Sequence, residues 1–451
     1  MSEGIRRFKL YSKYKDSGVE WLGEVPAHWD VTRTKYVARL RSGHTPSRQN
    51  PDYWLDCTIP WFGLADVWQL RDGLKEYVSE TTEKISELGL SNSSARLLPA
   101  GTVILSRTAS VGFSGIIEVD MATTQDFVNW VCGARIRPEY LLFLFRSMRG
   151  EFERLTMGST HQTIYMPDVG RFSTPVPPLD EQDRVVQYVR QGCFKIDALI
   201  AENERLIQLL QEKRTALITR VVTQGLDPNV RMKNSGVEWL GETPAHWKIK
   251  RLWHLTPPHR RIMYGIVLPG PNVEDGIPIV KGGDVAEGRL RLDRLNRTTR
   301  EIESAYVRSR LQGGDLVFAI RGSVGEVATV PDELAGANLT QDAARVAYTP
   351  STNGTWLLFA LKSSPVFAQL EAGALGATIR GINIRDLKRA TLPVPPLDEQ
   401  EAIGKFLLFE TARFDALIKR VGEAITGLQE LRSALVSAAV TGKIDVRGEV
   451  A

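Results

Sequence analysis

A chain of 451 residues with 43% hydrophobic and 24% charged side chains has room for roughly two to four domains and is too evenly composed for a disordered or fibrous protein. Its net charge of +4 suits a nucleic-acid partner without demanding one. Three scattered cysteines (Cys57, Cys132, Cys193), a polar start and a longest apolar run of only Tyr140 to Phe145 argue against a disulfide framework, a zinc ribbon, a signal peptide and a membrane span, and predict a cytoplasmic protein.

Residues 1–15 form a basic lead-in that reads as loosely ordered. Ser17-Gly-Val-Glu-Trp-Leu-Gly-Glu24 and Pro26-Ala-His-Trp29 follow, and both return as Ser235 to Glu242 and Pro244 to Trp247, 218 residues later. A period this long signals tandem domains rather than a solenoid. Between these landmarks the modules still register. Ile59-Pro60 and Asp66-Val67 match Ile277-Pro278 and Asp284-Val285. A buried strand ending at Arg107 matches one ending at Arg321, and Thr124-Gln125-Asp126 matches Thr340-Gln341-Asp342. Short strands broken by glycine, with a helix near Tyr140 to Met148 and another near Trp356 to Leu361, predict an α+β globule in each module.

Each module ends in Pro-Val-Pro-Pro-Leu-Asp-Glu-Gln, at Pro175 to Gln182 and at Pro393 to Gln400, and each copy opens a long amphipathic helix. The first apolar stripe runs through Val185, Val189, Ile196, Leu199, Leu206, Leu210, Leu217 and Val221. The second runs through Ile403, Leu407, Phe414, Leu417, Val421, Leu428, Leu431 and Leu435. Steps of three and four set these on one seam, the pattern of a coiled coil. The prolines fix an extended entry, Asp180 and Asp398 read as N-caps, and Glu401 reads as completing a capping box. At a rise of ~1.5 Å per residue each helix is a rod of about 65 Å. The expected layout is two similar α/β-mixed domains, 16–178 and 235–396, held apart by antiparallel coiled-coil helices, 179–224 and 397–442. A linker at 225–234 and a tail at 443–451 complete a pseudo-two-fold internal repeat.

The lead-ins, the two proline junctions and the helix after each resemble the specificity subunits of type I restriction–modification systems, over nearly the whole chain. The resemblance implies that each globular part is a target recognition domain reading one half of a split site in double-stranded DNA. It implies that the helices act as a ruler and dock two methylation subunits, with Val189, Leu199, Leu206, Leu210, Leu407, Leu417, Leu428 and Leu431 as docking candidates. The partners would bind S-adenosylmethionine and methylate adenine, and restriction subunits would complete a nuclease. Two half-sites about one helical turn apart, ~34 Å, suit such a protein.

Catalytic and cofactor motifs are hard to find in this chain, so it reads as a non-catalytic subunit holding no cofactor or metal. Gly236 to Thr243 has P-loop glycine spacing, but Glu242 stands where a lysine must hold phosphate. Thr256-Pro257-Pro258-His259 lacks the amide and the aromatic ring that would hold a flipped base. The six histidines have no metal-ligand spacing. His28 and His246 read as structural residues, and Asp66 and Asp284 as loop caps. The alternative is a self-sufficient DNA modification enzyme with a cryptic cofactor site.

Phosphate contacts position a DNA-binding protein and base-edge contacts specify its site. Residues shared by both modules should therefore serve scaffold or phosphate: Arg107 with Arg321, and Gln125 with Gln341. Arginine suits guanine or phosphate and glutamine suits adenine, against a plain reading as strand-end and backbone-satisfying residues. Specificity should lie where the copies diverge: Arg41 to Gln49 (with Arg48) against Arg260 to Tyr264, Trp61-Phe62-Gly63 against Ile279-Val280-Lys281, and 158–163 (with His161 and Gln162) against 376–381 (with Arg380). Trp54 and Trp61 also read as core aromatics. Arg297, Arg300, Arg308 and Arg310 make a basic group whose default is a solvated face.

Overall fold

A computed structural model describes residues 9–156, 162–286, 288–374 and 381–449. The chain forms two compact units: residues up to 203 together with those from 423 onward, and residues 204–422. Each is described by itself.

In the first unit the central sheet has five strands in the order Ala38–Ser42, Phe127–Cys132, Val103–Ser106, Ser114–Ile117, Tyr77–Val78, antiparallel except at the last pair. Val103–Ser106 and Ser114–Ile117 are buried at every position, which suits their apolar character. A smaller sheet pairs Ile59–Phe62 parallel with Ala122–Thr123 and antiparallel with Glu83–Ile85. Helix Pro138–Ser147 buries Tyr140 through Phe145 against the central sheet, and Val185, Val189, Val436 and Val440 from the two long helices join the same core.

The second unit repeats this order. Met263–Tyr264, Ala343–Val346, Leu316–Ala319 and Val327–Thr329 make its central sheet, without a fifth strand among the described residues. Ile277–Val280 pairs parallel with Asn338–Leu339 and antiparallel with Asn296–Thr298. Helix Gly354–Lys362 stands where Pro138–Ser147 stands in the first unit, and Ile218, Val221, Val222, Ile403 and Leu407 line its core. In both units the strand before the prolines pairs antiparallel with the strand after the Pro-Ala-His-Trp lead-in: Ser173–Val176 with Asp30–Arg33, and Thr391–Val394 with Lys248–Arg251.

The long helices are Leu179–Gln224 and Leu397–Val440. Within each unit the first half of one packs against the second half of the other, so they run antiparallel there. Arg432 meets Asp197 at 2.9 Å in the first unit, and Arg214 meets Asp415 at 3.2 Å in the second. The two pairs occupy equivalent positions in the repeat, each arginine on the helix opposite its aspartate.

Four expectations need correction. The described part of the lead-in is built into the fold: Tyr11 is buried, and Tyr14–Asp16 pairs with Glu24–Pro26. The linker likewise ends in a strand, Met232–Asn234, paired with Glu242–Pro244. Asp180 and Asp398 are first-turn residues and not N-caps. The helices begin at Leu179 and Leu397, ahead of these aspartates, because the proline carbonyls open them: Gln182 N donates to Pro178 O at 2.9 Å and Gln400 N to Pro396 O at 3.0 Å. Nor is the apolar seam buried throughout. Val189 and Leu407 are fully covered and Leu210 and Leu428 half-buried, but Leu199, Leu206, Leu417 and Leu431 are 43–48% exposed. A contact between only two helices covers one stripe of each and leaves its flanks in water.

The last two residues of each junction motif explain its repetition. Gln182 donates to the carbonyls of Arg135 and Pro177, both at 2.9 Å, and accepts from Arg137 N at 2.8 Å. Gln400 donates to Pro395 O at 2.9 Å and accepts from Asn353 N at 2.8 Å. Each glutamine thus ties the start of a long helix to the start of the helix packed on its unit's central sheet. Glu181 and Glu399 hold His28 and His246 at 2.8 and 2.6 Å, which gives those histidines their structural role.

Candidate nucleic-acid interface

In each unit one end of the paired sheets brings together described residues from more than one divergent segment. A glycine sets the geometry. A Cβ on Gly43 would lie 2.0 Å from the carbonyl of Thr124, and one on Gly265 equally close to the carbonyl of Leu339, so only glycine lets the chain leave the sheet there. His44 N then donates to Thr123 O at 3.0 Å, and Ile266 N to Leu339 O at 2.7 Å. This pairing corrects the register of the divergent loops. The counterpart of 44–49 begins at Ile266, not at Arg260, and aligning Ser42-Gly43 with Tyr264-Gly265 would have found it.

Five candidates meet at this edge of the first unit. Arg107 donates from Nε to Gln125 O at 3.1 Å and from a terminal nitrogen to Ile164 O at 3.4 Å. Gln125 is exposed, and its Oε1 accepts from Thr45 Oγ1 at 2.5 Å. Gln162 is exposed, and its carbonyl accepts from Ala109 N at 2.9 Å, holding Ala109 at a φ of 60°. Arg48 lies 3.8 Å over the Trp54 ring and pairs with Glu83 at 2.5 Å. Trp61 is only 4% exposed, packs edge-on to Trp54 and donates to His44 O at 3.3 Å. Trp61 is therefore a core residue supporting the loop and not a base reader. His161 lies outside the described residues.

The second unit brings Lys281, Arg321 and Gln341 together. Arg321 N donates to Asp342 O at 3.1 Å, Gln341 N donates to Ile266 O at 2.9 Å, and Gly282 packs against the Arg321 carbonyl. The Arg321 side chain is exposed, with no hydrogen bond among the described residues. Arg260 does not join them. Both of its terminal nitrogens bond Asp315, at 2.9 and 2.6 Å, and Asp315 is buried. Beside that pair, Arg345 is buried and its guanidinium pKa is held down by desolvation, then by Arg260. Arg260 is therefore a structural residue. Arg380 lies outside the described residues. Asp66 and Asp284 do cap loops, accepting from Gly63 N and Lys281 N, both at 2.9 Å.

Of the basic group, Arg310 forms a two-pronged bond to the buried Glu303 at 2.7 and 2.6 Å, and Arg297 donates to Gly276 O at 3.2 Å. Both serve the fold. The residues that sequence reasoning passed over are Val267 and Leu268, exposed apolar side chains on the loop that Gly265 opens, just past Tyr264, the exposed end of the divergent 260–264 segment.

A family model, described as the type I restriction modification DNA specificity domain, matches residues 26–211 and 272–425. The chain belongs to this family. Among its relatives is the type I restriction enzyme EcoBI specificity subunit of Escherichia coli, 26% identical over 60% of this chain and 58% of that protein. The MjaIX specificity subunit of Methanocaldococcus jannaschii is 24% identical, over 54% of this chain and 55% of that protein. The chain thus spans little more than half the length of these two members. The putative MjaX specificity subunit of the same organism aligns over 94% of this chain and 96% of its own length, at 23% identity. A solved structure concerned with complex assembly and conformational transition of the type I R-M system shares the fold, with a TM-score of 0.60 at 20% identity over 94% of this chain and 99% of that one. Among the described residues of this family member, no helix is long and apolar enough to cross a membrane.

Proposed function

We propose that this chain is the DNA-recognition subunit of a cytoplasmic type I restriction–modification complex. Each unit reads one half of a bipartite duplex site through its loop edge, and the long helices dock two methylation subunits. The half-exposed leucines Leu199, Leu206, Leu417 and Leu431 are the surface for that docking. Adenine methylation takes place in the partners, which bind S-adenosylmethionine, and restriction subunits join the same assembly. The chain itself holds no cofactor and catalyses nothing.

One observation carries this reading: a single topology occurs twice, alike in its backbone clasps and different in the side chains at one edge. That is the arrangement expected of two recognition modules for unlike half-sites, with positioning contacts shared and specifying contacts divergent. The test is methylation of duplex DNA by the purified chain with and without its methylation partner. Adenine methylation at one bipartite motif is expected only with the partner. Methylation by the chain alone, or S-adenosylmethionine binding to it, would establish the self-sufficient enzyme instead. Replacing Leu206 and Leu417 with glutamate should abolish partner assembly and leave the fold intact.

A further inference from the structure

The equivalent edges of the two units differ in kind. In the first, the positions around Gly43 are Ser42, Thr45 and Pro46, and the Thr45 hydroxyl engages the amide oxygen of Gln125. In the second, the same positions are Tyr264, Val267 and Leu268. Val267 has no hydroxyl to offer, and the amide of Gln341 makes no hydrogen bond among the described residues. Gln341 is nonetheless fixed in place, because its backbone N donates to Ile266 O in the same loop. Leu268 is 80% exposed, the most exposed large apolar side chain among the described residues. Lys281 and the exposed Arg321 stand at the same end of the unit.

We propose, building on the function above, that Gln341 and Leu268 form an adenine–thymine reader in the second unit, one that the first unit lacks. A free glutamine amide presents a donor and an acceptor that match N7 and N6 of adenine in the major groove, and an apolar side chain beside it matches the thymine 5-methyl group. Cations at the rim supply the phosphate attraction that an apolar tip cannot. The shared glutamine is therefore shared in identity but not in availability. Its neighbours at the positions of Thr45 and Val267 decide whether it reads a base.

The test uses the assembled complex of chain and methylation partner on duplexes in which single thymines of the recognised site are replaced by uracil, which removes only the 5-methyl group. Single adenines are replaced in parallel by 7-deazaadenine, which removes N7. With the native chain, one uracil position and one deazaadenine position, both in the same half-site, should slow methylation about 10-fold, the scale of one specific base contact. Leu268→Ala should abolish the uracil effect and Gln341→Ala the deazaadenine effect, while sensitivity in the other half-site stays unchanged. Leu268 is too exposed for its loss to disturb folding, and that variant alone keeps the proposal falsifiable if Gln341→Ala fails to fold. A half-site indifferent to uracil, or a uracil effect that survives Leu268→Ala, overturns the reader while leaving the proposed function standing. A native complex that methylates without sequence preference overturns both.

Discussion

The two units use one carboxylate in the same place and supply it with different donors. In the first unit, Glu181 accepts from His28 Nε2 at 2.8 Å and from the Tyr11 hydroxyl at 2.7 Å, while the buried Trp29 indole N–H has no partner among the described residues. In the second, Glu399 accepts from His246 Nε2 at 2.6 Å and from the Trp247 indole at 2.9 Å, and Asn229 stands where Tyr11 would. Burial, followed by the Glu181 bond, pushes the Tyr11 hydroxyl pKa far above its usual value, so it stays a donor at any physiological pH. The comparison teaches that a duplicated fold fixes where its acceptors sit, while the donors can be reassigned copy by copy.

The largest effect that sharpens this comparison is at the tryptophans. Trp29 and Trp247 are both fully buried, so either change to alanine should cost about 3–5 kcal/mol. Changing them to phenylalanine separates the units. Trp247→Phe also removes a charge-assisted bond and should cost a further ~1.5–3 kcal/mol, whereas Trp29→Phe loses no hydrogen bond. Urea unfolding of the full chain, resolved into the transitions of the two units, measures this. Equal losses for the two phenylalanine variants would mean that Glu399 does not depend on its indole donor.

A second contrast concerns how each unit fills the same architecture. The first adds Tyr77–Val78 as a fifth strand and fastens it with Arg190 bound to Glu76 at 2.6 Å. The second has no such strand among its described residues. It buries a polar network in which Glu303 takes both prongs of Arg310 and a bond from Asn338 at 3.0 Å. The Arg310 bond is the main cause that holds the Glu303 carboxyl below its ordinary pKa, against the desolvation that would raise it. A folded pKa below the unfolded one adds stability that is fully present above the unfolded value, ~4.3, and is lost as pH falls through the folded value. The second unit should therefore lose stability as pH falls below ~4.3, and Glu303→Gln should flatten that loss. At pH 7, Arg310→Met should cost about 2 kcal/mol by leaving Glu303 short of its partner. Thermal unfolding between pH 7 and pH 3 checks both. An acid-induced loss of the same size in native and Glu303→Gln chains would show that the network does not set the acid limit.

What the sequence made legible follows the same division. The repeat offset, the proline junctions and the apolar stripes mark the scaffold, because backbone clasps such as Gln182 and Gln400 require the same residue in both copies. The site was harder to read. Trp61 and Arg260 look like DNA readers by residue type, and only burial and the Asp315 partner show otherwise. Leu268 looks unremarkable by type, and only its exposure on the loop that anchors the Gln341 backbone marks it. Residue identity reports chemistry, but availability is a property of the fold. The N-cap misreading has the same origin, since a proline carbonyl that starts a helix early leaves no trace in the side chains.

The smallest effect tests the symmetry of the long helices. Asp197 with Arg432 and Asp415 with Arg214 are the same pair written twice, each reaching from one helix to the other within its own unit. Their settings differ. The first pair is 27% and 20% exposed, the second 48% and 25%. Water screens an ion pair in proportion to its access, so partly exposed pairs contribute only about 0.5–1 kcal/mol, and the better-covered one should contribute more. Double-mutant cycles built from Asp197→Asn with Arg432→Gln, and from Asp415→Asn with Arg214→Gln, should therefore give a larger coupling in the first unit. Salt of about 1 M should reduce the second coupling by the larger fraction, because its charges lie nearer the screening ions. Couplings of equal size and equal salt dependence would mean that the aspartate exposures do not govern these pairs, and that helix geometry alone sets their strength.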